Sequence, residues 1–341
     1  MIYYATALSL LLTAPVAVHA GTSMDELRSR KANDPDGMAK NISRSEFAAI
    51  FDRTVVPKKR TRRSSESLPL VFLHGMGDSC FNRGMESITE ESGEYLGVYS
   101  TCIPTGDDKR EDTLNGFFMD MDTSVDVFAE KVRADSQLAN GFNCVGLSQG
   151  NNICRGYIQR YNDPPVNTHL SIHGPVVGVA ALPHCYPDGD HGDLCVDVSD
   201  FLAKLAYNQP MQDFLFQANY FRDVNFVNTE EYKKYSQMAE WNQEGATTDD
   251  SIKLNFAKTN TFAMIKANED SVVVPREGEW WGAYDTDFET ILTMKQTAWY
   301  KDDTFGLRTA DEAGKIFFTS TEGNHLEFSD EELYGWLDAY C

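Results

Sequence analysis

An α/β architecture, with a mostly parallel sheet flanked by helices, is predicted by three features of the chain. Short apolar runs alternate with segments of helical apolar spacing. Several of the runs end in glycine-bearing loops, as at His74-Gly75-Met76-Gly77-Asp78 and His173-Gly174. One of them, residues 142–147, passes straight through Gly146-Leu147-Ser148-Gln149-Gly150 into a helical segment. A Gly-x-Ser-x-Gly turn in that setting holds a serine hydroxyl exposed on a sharp strand-to-helix bend. Its glycines let neighbouring backbones pass close by.

The elements follow in order. Residues 68–73 (Leu-Pro-Leu-Val-Phe-Leu) read as the first strand, 84–96 as a helix and 97–102 as the second strand. Residues 107–122 read as an acidic loop interrupted by Phe117-Phe118. Val125, Phe128 and Val132 give residues 125–138 helical spacing, and residues 149–161 carry Ile153, Tyr157, Ile158 and Tyr161 on one helical face. A strand over 167–172 ends at His173-Gly174. There the alternation breaks, and residues 175–257 read as a helical insertion over the carboxyl ends of the strands. Within it, Val198, Phe201, Leu202 and Leu205, then Met211, Phe214, Leu215 and Ala218, recur at i, i+3, i+4, i+7. An apolar strand over 258–266 leads into Ala267-Asn268-Glu269-Asp270. The last strand, 315–320, leads into Thr321-Glu322-Gly323-Asn324-His325. A final helix over 329–339 opens Ser-Asp-Glu-Glu, a cap with acids at the positive helix end.

Composition bounds the class. Of the 341 residues 42% are hydrophobic, enough for a packed core. Residues 1–20 contain an apolar run and end Val18-His19-Ala20, which reads as a cleaved secretory signal. That run is short for a membrane span. Residues 21–67 are polar and reach Lys58-Lys59-Arg60-Thr61-Arg62-Arg63. They read as a propeptide ending at a basic processing site or as a solvated linker, leaving 68–341 as the functional domain. Asn41-Ile42-Ser43 is the one glycosylation sequon. Beyond residue 63 the net charge is −27, which repels nucleic acid and anionic membranes at neutral pH. Of the seven cysteines, Cys185 and Cys195 bracket a polar loop and are the best disulfide pair. Cys144 and Cys154 read as buried free thiols. Cys80, Cys102 and Cys341 are left unpaired by sequence. His184, Cys185, His191 and Cys195 fit no standard zinc spacing, so no metal is expected.

A serine nucleophile needs a base within hydrogen-bond reach and a carboxylate that orients the base. His325 follows a late strand in a glycine-bearing loop and is the histidine best placed as base. Asp270 directly follows the preceding strand, with Glu269, Glu277 and Glu279 as nearby rivals. The order Ser148, Asp270, His325 is that of α/β-hydrolases. The oxyanion of a tetrahedral intermediate calls for backbone N–H groups. These are expected from Gln149, the residue after the nucleophile, and from Met76 in the His74–Gly77 loop.

These residues resemble the palmitoyl-protein thioesterases, specifically the lysosomal type 1 branch. The resemblance rests on His74-Gly-Met-Gly-Asp-Ser-Cys80, Gly146-Leu-Ser-Gln-Gly150, Gly178-Val179, Leu182-Pro183-x-Cys185 and Asp270-Ser-Val-Val-Val-Pro275. It continues through Glu279-Trp280-Trp281-Gly282-x-Tyr284, Phe305-Gly-Leu307 and Thr321-Glu-Gly-Asn-His-Leu326. It implies an α/β-hydrolase fold, hydrolysis of long-chain acyl thioesters on protein cysteines, and a lysosomal location, with vacuolar delivery or secretion left open. It also implies that the triad falls on Ser148, Asp270 and His325, with Met76 and Gln149 at the oxyanion. The acyl groove it implies would draw on the insertion, with Phe201, Leu205, Phe214 and Leu215 as candidates. The chain departs from the family at Cys80-Phe81, where adjacent cysteines are expected, and at Tyr161, where a cysteine is expected. Of the family's usual bridges only Cys185–Cys195 is expected. The reaction calls for no cofactor, and the partners are S-acylated proteins and other acyl thioesters. A secreted carboxylester hydrolase or lipase would share the triad. A catalytically silent lipid-binding protein would share only the fold.

Overall fold

The computed structural model describes residues 68–181, 183, 205–245 and 247–341. The expected signal and propeptide, Asn41, Phe201 and the Cys185/Cys195 pair lie outside the described residues. Six strands form one parallel sheet: β1 (Leu70–Leu73), β2 (Ser100–Cys102), β3 (Phe142–Leu147), β4 (Val166–Ile172), β5 (Thr261–Ala267) and β8 (Ile316–Thr321). Their spatial order is β2-β1-β3-β4-β5-β8, all neighbours parallel. The short strands β6 (Ala283–Tyr284) and β7 (Ile291–Leu292) pair antiparallel beside it.

Period-2 alternation sorts the strand side chains onto two cores. Val71, Leu73, Phe142, Cys144, Phe262 and Met264 enter the larger core, beneath the helices that follow β2 and β3. Leu70, Phe72, Val145, Leu147, Ala263 and Ile265 enter the smaller one, covered by α1 (Arg83–Leu96) and the C-terminal helix, Asp330–Tyr340. The central strands are buried on both faces, so β1 and most of β5 read as continuous apolar runs rather than alternating ones. From β1 the chain steps outward to β2 and then crosses back to β3. The direction of winding therefore reverses between β1 and β3, and the crevice at their carboxyl ends is where such sheets place ligands.

Residues 107–122 are not the expected acidic loop. Asp108 caps α2 (Lys109–Phe118) by accepting from the Glu111 N–H, and Asp120 caps α3 (Met121–Ala134) through the Thr123 N–H. The acids that suggested a loop are the caps and first-turn residues of two helices, where negative charge is favoured. The stripe Met211, Phe214, Leu215, Ala218 likewise lies on no single helix. Met211 lies on α5 (Gln209–Gln212) and Ala218 on α6 (Phe216–Asn219), with Phe214 and Leu215 in the turn between them; both helices follow α4 (Gly150–Arg160) in the chain.

One cysteine expectation is corrected, and one pairing that the sequence left open is resolved. Cys144 and Cys154 are bonded to each other rather than free, and Cys80 is bonded to Cys102, with Cα atoms 6.4 Å and 5.5 Å apart. Cys144 lies on the β3 face that α4 covers, and Cys154 lies on the second turn of α4, so the strand-helix bend itself brings them together. Cys185–Cys195 is therefore not the sole bridge to be expected. Cys341 is a free thiol, pushed up to about 12 by burial.

Candidate active site

Ser148 ends β3 with a φ of 51°, the left-handed conformation of a strained bend. The flanking glycines are required by close approach: a Cβ at Gly150 would stand 2.5 Å from the Leu73 carbonyl oxygen. A buried network holds the bend from below. The Asn151 Nδ2 donates to the carbonyls of Ser148 (3.0 Å) and Ile172 (3.1 Å). Its Oδ1 faces His169 Nε2 at 3.1 Å. Burial, and secondarily Arg155, push His169 down to about 3, so the imidazole is neutral and donates to Asn151.

His325 Nε2 lies 2.8 Å from Ser148 Oγ, and its Nδ1 lies 2.6 Å from Asp270 Oδ2. The second Asp270 oxygen accepts from the N–H groups of Val272 and Val273, both at 2.7 Å. Burial raises the Asp270 carboxyl, but the His325 hydrogen bond and charge, with these donors, outweigh it and hold it at about 2. Nδ1–H therefore donates to Asp270 and Nε2 is free to accept the Ser148 proton. The structure thus brings together the three residues that the sequence singled out, from three different strand ends.

The loops that carry Asp270 and His325 are tied to each other. Asn324 Oδ1 accepts from Ser271 N (3.0 Å) and from His325 N (2.7 Å), while the Glu269 N–H donates to the Gly323 carbonyl (3.1 Å). His173, buried at the end of β4, accepts the Leu326 N–H on Nδ1 at 2.8 Å and meets Thr321 Oγ1 through Nε2 at 3.1 Å. Burial, and secondarily the neighbouring His325, push His173 down to about 3, so it is a neutral brace for the His325 loop.

On the other side of Ser148 stands the glycine loop after β1. A Cβ at Gly75 would lie 3.2 Å from Ser148 Cβ. The Gly75 carbonyl accepts from His74 Nδ1 (2.9 Å) and from the Asp78 N–H (3.3 Å). Because the peptide unit is planar, fixing that carbonyl also fixes the opposite direction of the Met76 N–H. His74 Nε2 meets Asp112 Oδ1 at 3.2 Å. Both ring nitrogens therefore face groups that only accept, which demands an imidazolium. Burial lowers the His74 pKa, yet the Asp112 hydrogen bond and charge prevail and raise it. Asp112 also accepts from Ser79 Oγ, Cys80 N and Thr105 N, making it the hub of the loop. Sequence reasoning missed Asp112 because its partners come from two loops far apart in the chain.

Gln149, buried after Ser148, donates to the Gly116 carbonyl at 2.8 Å and accepts from Gln217 Nε2 at 2.9 Å. Gln217 also donates to Gly116 at 2.9 Å, so the turn, α2 and α6 share one bracket. Phe117 packs on Gly77, Phe118 lies 6.0 Å from Phe117 between ring centroids, and the exposed Phe214 stacks on Phe118 at 5.2 Å. Leu215 points away, into the larger core, and Leu205 is half-buried. Neither metal-capable side-chain cluster among the described residues reads as a metal centre. His173, Asp270 and His325 are committed to the hydrogen bonds above. In the set of His74, Cys80 and Asp112 the thiol is in a disulfide.

A model of the palmitoyl protein thioesterases matches residues 69–325, from β1 to His325. The chain belongs to that family. It is 34% identical over 285 residues to palmitoyl-protein thioesterase 1 of Caenorhabditis elegans, covering 82% of this chain and 94% of that one. Palmitoyl-protein thioesterase 3 of Dictyostelium discoideum is 30% identical over 271 residues, covering 79% and 88%. Human lysosomal thioesterase PPT2 is 24% identical over 262 residues, covering 73% and 78%. Among solved structures, the RedJ thioesterase of Streptomyces coelicolor aligns at a TM-score of 0.36 and 13% identity, covering 90% and 100%. Within this thioesterase family the described residues contain no helix long and apolar enough to cross a membrane. The two disulfides accord with an oxidising compartment of the secretory pathway.

Proposed function

We propose that this thioesterase cleaves long-chain acyl groups from protein cysteines through an acyl-enzyme on Ser148. The single observation that carries the reading is the continuous chain from Ser148 Oγ through the His325 ring to Asp270, built on a strained turn. His325 Nε2 takes the Ser148 proton as Oγ attacks the thioester carbonyl carbon. The C–S bond then breaks, and the cysteine leaves as a thiolate or, taking the proton from His325, as a thiol. In the second half, His325 deprotonates water, which attacks the acyl carbon and releases the fatty acid and Ser148.

The developing oxyanion is assigned to the N–H groups of Met76 and Gln149. The fixed Gly75 carbonyl and the Gln149–Gly116–Gln217 bracket support this assignment. Each such donor contributes about 3 kcal/mol in comparable sites. The acyl chain is assigned to the aromatic row Phe117, Phe118 and Phe214, which starts at the glycine loop and ends at an exposed ring. The protein acts in the lysosome or vacuole, reached through a cleaved signal at residues 1–20, and residues 21–63 are removed at the basic cluster.

Rapid quenching of the enzyme during turnover of a palmitoyl-cysteine peptide tests the chemistry. The reading expects a palmitoyl adduct on the peptide that contains Ser148. An adduct on another residue, or turnover that persists in Ser148→Ala, contradicts it.

A further inference from the structure

Glu279 is buried completely in the 3-10 turn Arg276–Trp280, and nothing in the reaction above uses it. Its Oε2 accepts the N–H of Ala267, the last residue of β5, at 2.9 Å. Its Oε1 is equally buried and meets no donor. The Glu279 carboxyl lies within hydrogen-bonding reach of the Asp270 carboxyl.

Two carboxylates only accept, so this contact requires one proton between them. The surrounding donors decide which residue carries it. Asp270 receives Val272 N, Val273 N and His325 Nδ1, three donors that favour its anion. Among the described residues, the one donor to Glu279 is Ala267 N. We propose that Glu279 is a protonated carboxylic acid that donates to Asp270, acting as a positioning residue behind the Asp270–His325 pair.

Burial, with the charge of Asp270 next, holds the Glu279 carboxyl well above the usual carboxylate range. Other charged groups nearby are engaged elsewhere. The Lys266 ammonium on β5 lies over the Trp280 ring at 4.4 Å, while Arg276 donates to the Asn268 carbonyl and faces Glu277 at 3.9 Å. His173, neutral, stands beside His325 with ring centroids 6.0 Å apart. The consequence is a four-residue line, Ser148, His325, Asp270 and Glu279, with a single negative charge in it. The Glu279 hydrogen bond draws charge away from the Asp270 oxygens and fixes the carboxylate plane that orients His325.

The inference rests on the assignment of Ser148, His325 and Asp270 above, so the test separates the two. kcat/KM for a palmitoyl-cysteine peptide is measured from pH 4 to 9 for wild type, Glu279→Gln and Glu279→Ala, with Ser148→Ala as control. Competent sites are counted with a fluorophosphonate probe. Glu279→Gln keeps a neutral donor and is expected to keep the wild-type acid limb. Glu279→Ala leaves Asp270 carrying its full charge against His325, and its acid limb is expected about half a pH unit or more higher. Were Glu279 an anion, both variants would move the limb to lower pH. Were it merely structural, neither would move it. Either result overturns the proposal. Should Glu279→Ala not fold, thermal unfolding decides. Keeping a buried carboxyl protonated costs wild type stability as pH rises above the unfolded carboxyl pKa. Glu279→Gln therefore loses less Tm between pH 5 and 8 than wild type, and parallel curves overturn the proposal. Undiminished turnover by Ser148→Ala would instead sink the triad assignment.

Discussion

Ser148 is positioned by residues that do no chemistry themselves. Asn151 bonds both the Ser148 and Ile172 carbonyls, and His173 holds the backbone just beyond His325. Replacing Asn151 with Ala removes one of the donors to the Ser148 and Ile172 carbonyls and leaves the buried His169 Nε2 without its partner, at about 1–3 kcal/mol. A lower Tm with a reduced kcat is expected, and circular dichroism with steady-state kinetics reads both. Asp270→Asn should cost about 10⁴ in kcat, since the amide favours the wrong imidazole tautomer. A loss under tenfold would exclude Asp270 as the orienting acid. The two buried histidines also make stability pH-dependent. Both are depressed to about 3, so their contribution is present above the unfolded histidine pKa near 6.5 and is lost as pH falls through that value toward 3. At pH 5 each costs about 2 kcal/mol. His173→Gln, which keeps an acceptor and a donor, should flatten the fall in Tm between pH 6.5 and 4, and a slope equal to wild type would contradict this. At this scale the sequence disclosed residues attached to local signals: Ser148 in its glycine turn, Asp270 and His325 directly after strands. Asn151 and Asp112 carried no such signal, and His173, directly after a strand, and Glu279, a rival acid, were visible without their roles, because those roles arise only when distant loops meet.

Among the elements, α2 would matter most to specificity on the proposed acyl path. Its C-terminal carbonyl at Gly116 binds both Gln149 and Gln217, and its Phe117-Phe118 pair runs from the glycine loop to Phe214. Truncating Phe214 to Ala removes apolar contact that only a long chain can reach, worth about 1–2 kcal/mol. Hydrolysis of palmitoyl thioester should fall about tenfold while that of an acetyl thioester holds steady. Equal losses on both would place the acyl chain elsewhere. The strands around the sheet were legible from their uninterrupted apolar runs, with ends shifted by a few residues. Helix α2 was not, because its acids mark caps and a first turn as readily as they mark a loop. The broken stripe at Met211–Ala218 shows the opposite error, in which helical spacing survives across a turn between two short helices.

Across the molecule, the sheet supplies the chemistry and later packing supplies rigidity. The winding reverses between β1 and β3, which puts the glycine loop and Ser148 side by side, and β4, β5 and β8 deliver the rest. The Cys80–Cys102 bridge ties the glycine loop to β2. Its removal by paired Ser substitutions should cost about 2–4 kcal/mol, read as a lower denaturant midpoint. That bridge could not be read from sequence, since cysteine pairing depends on which strands become neighbours. The central claim is thioester hydrolysis by Ser148. Its most direct test is the rate at which residues 64–341 cleave a palmitoyl-cysteine peptide, beside the matching palmitoyl-serine ester and the Ser148→Ala variant. The structure predicts faster thioester release that disappears in the variant. Equal turnover of ester and thioester, or release that persists without Ser148, would contradict it.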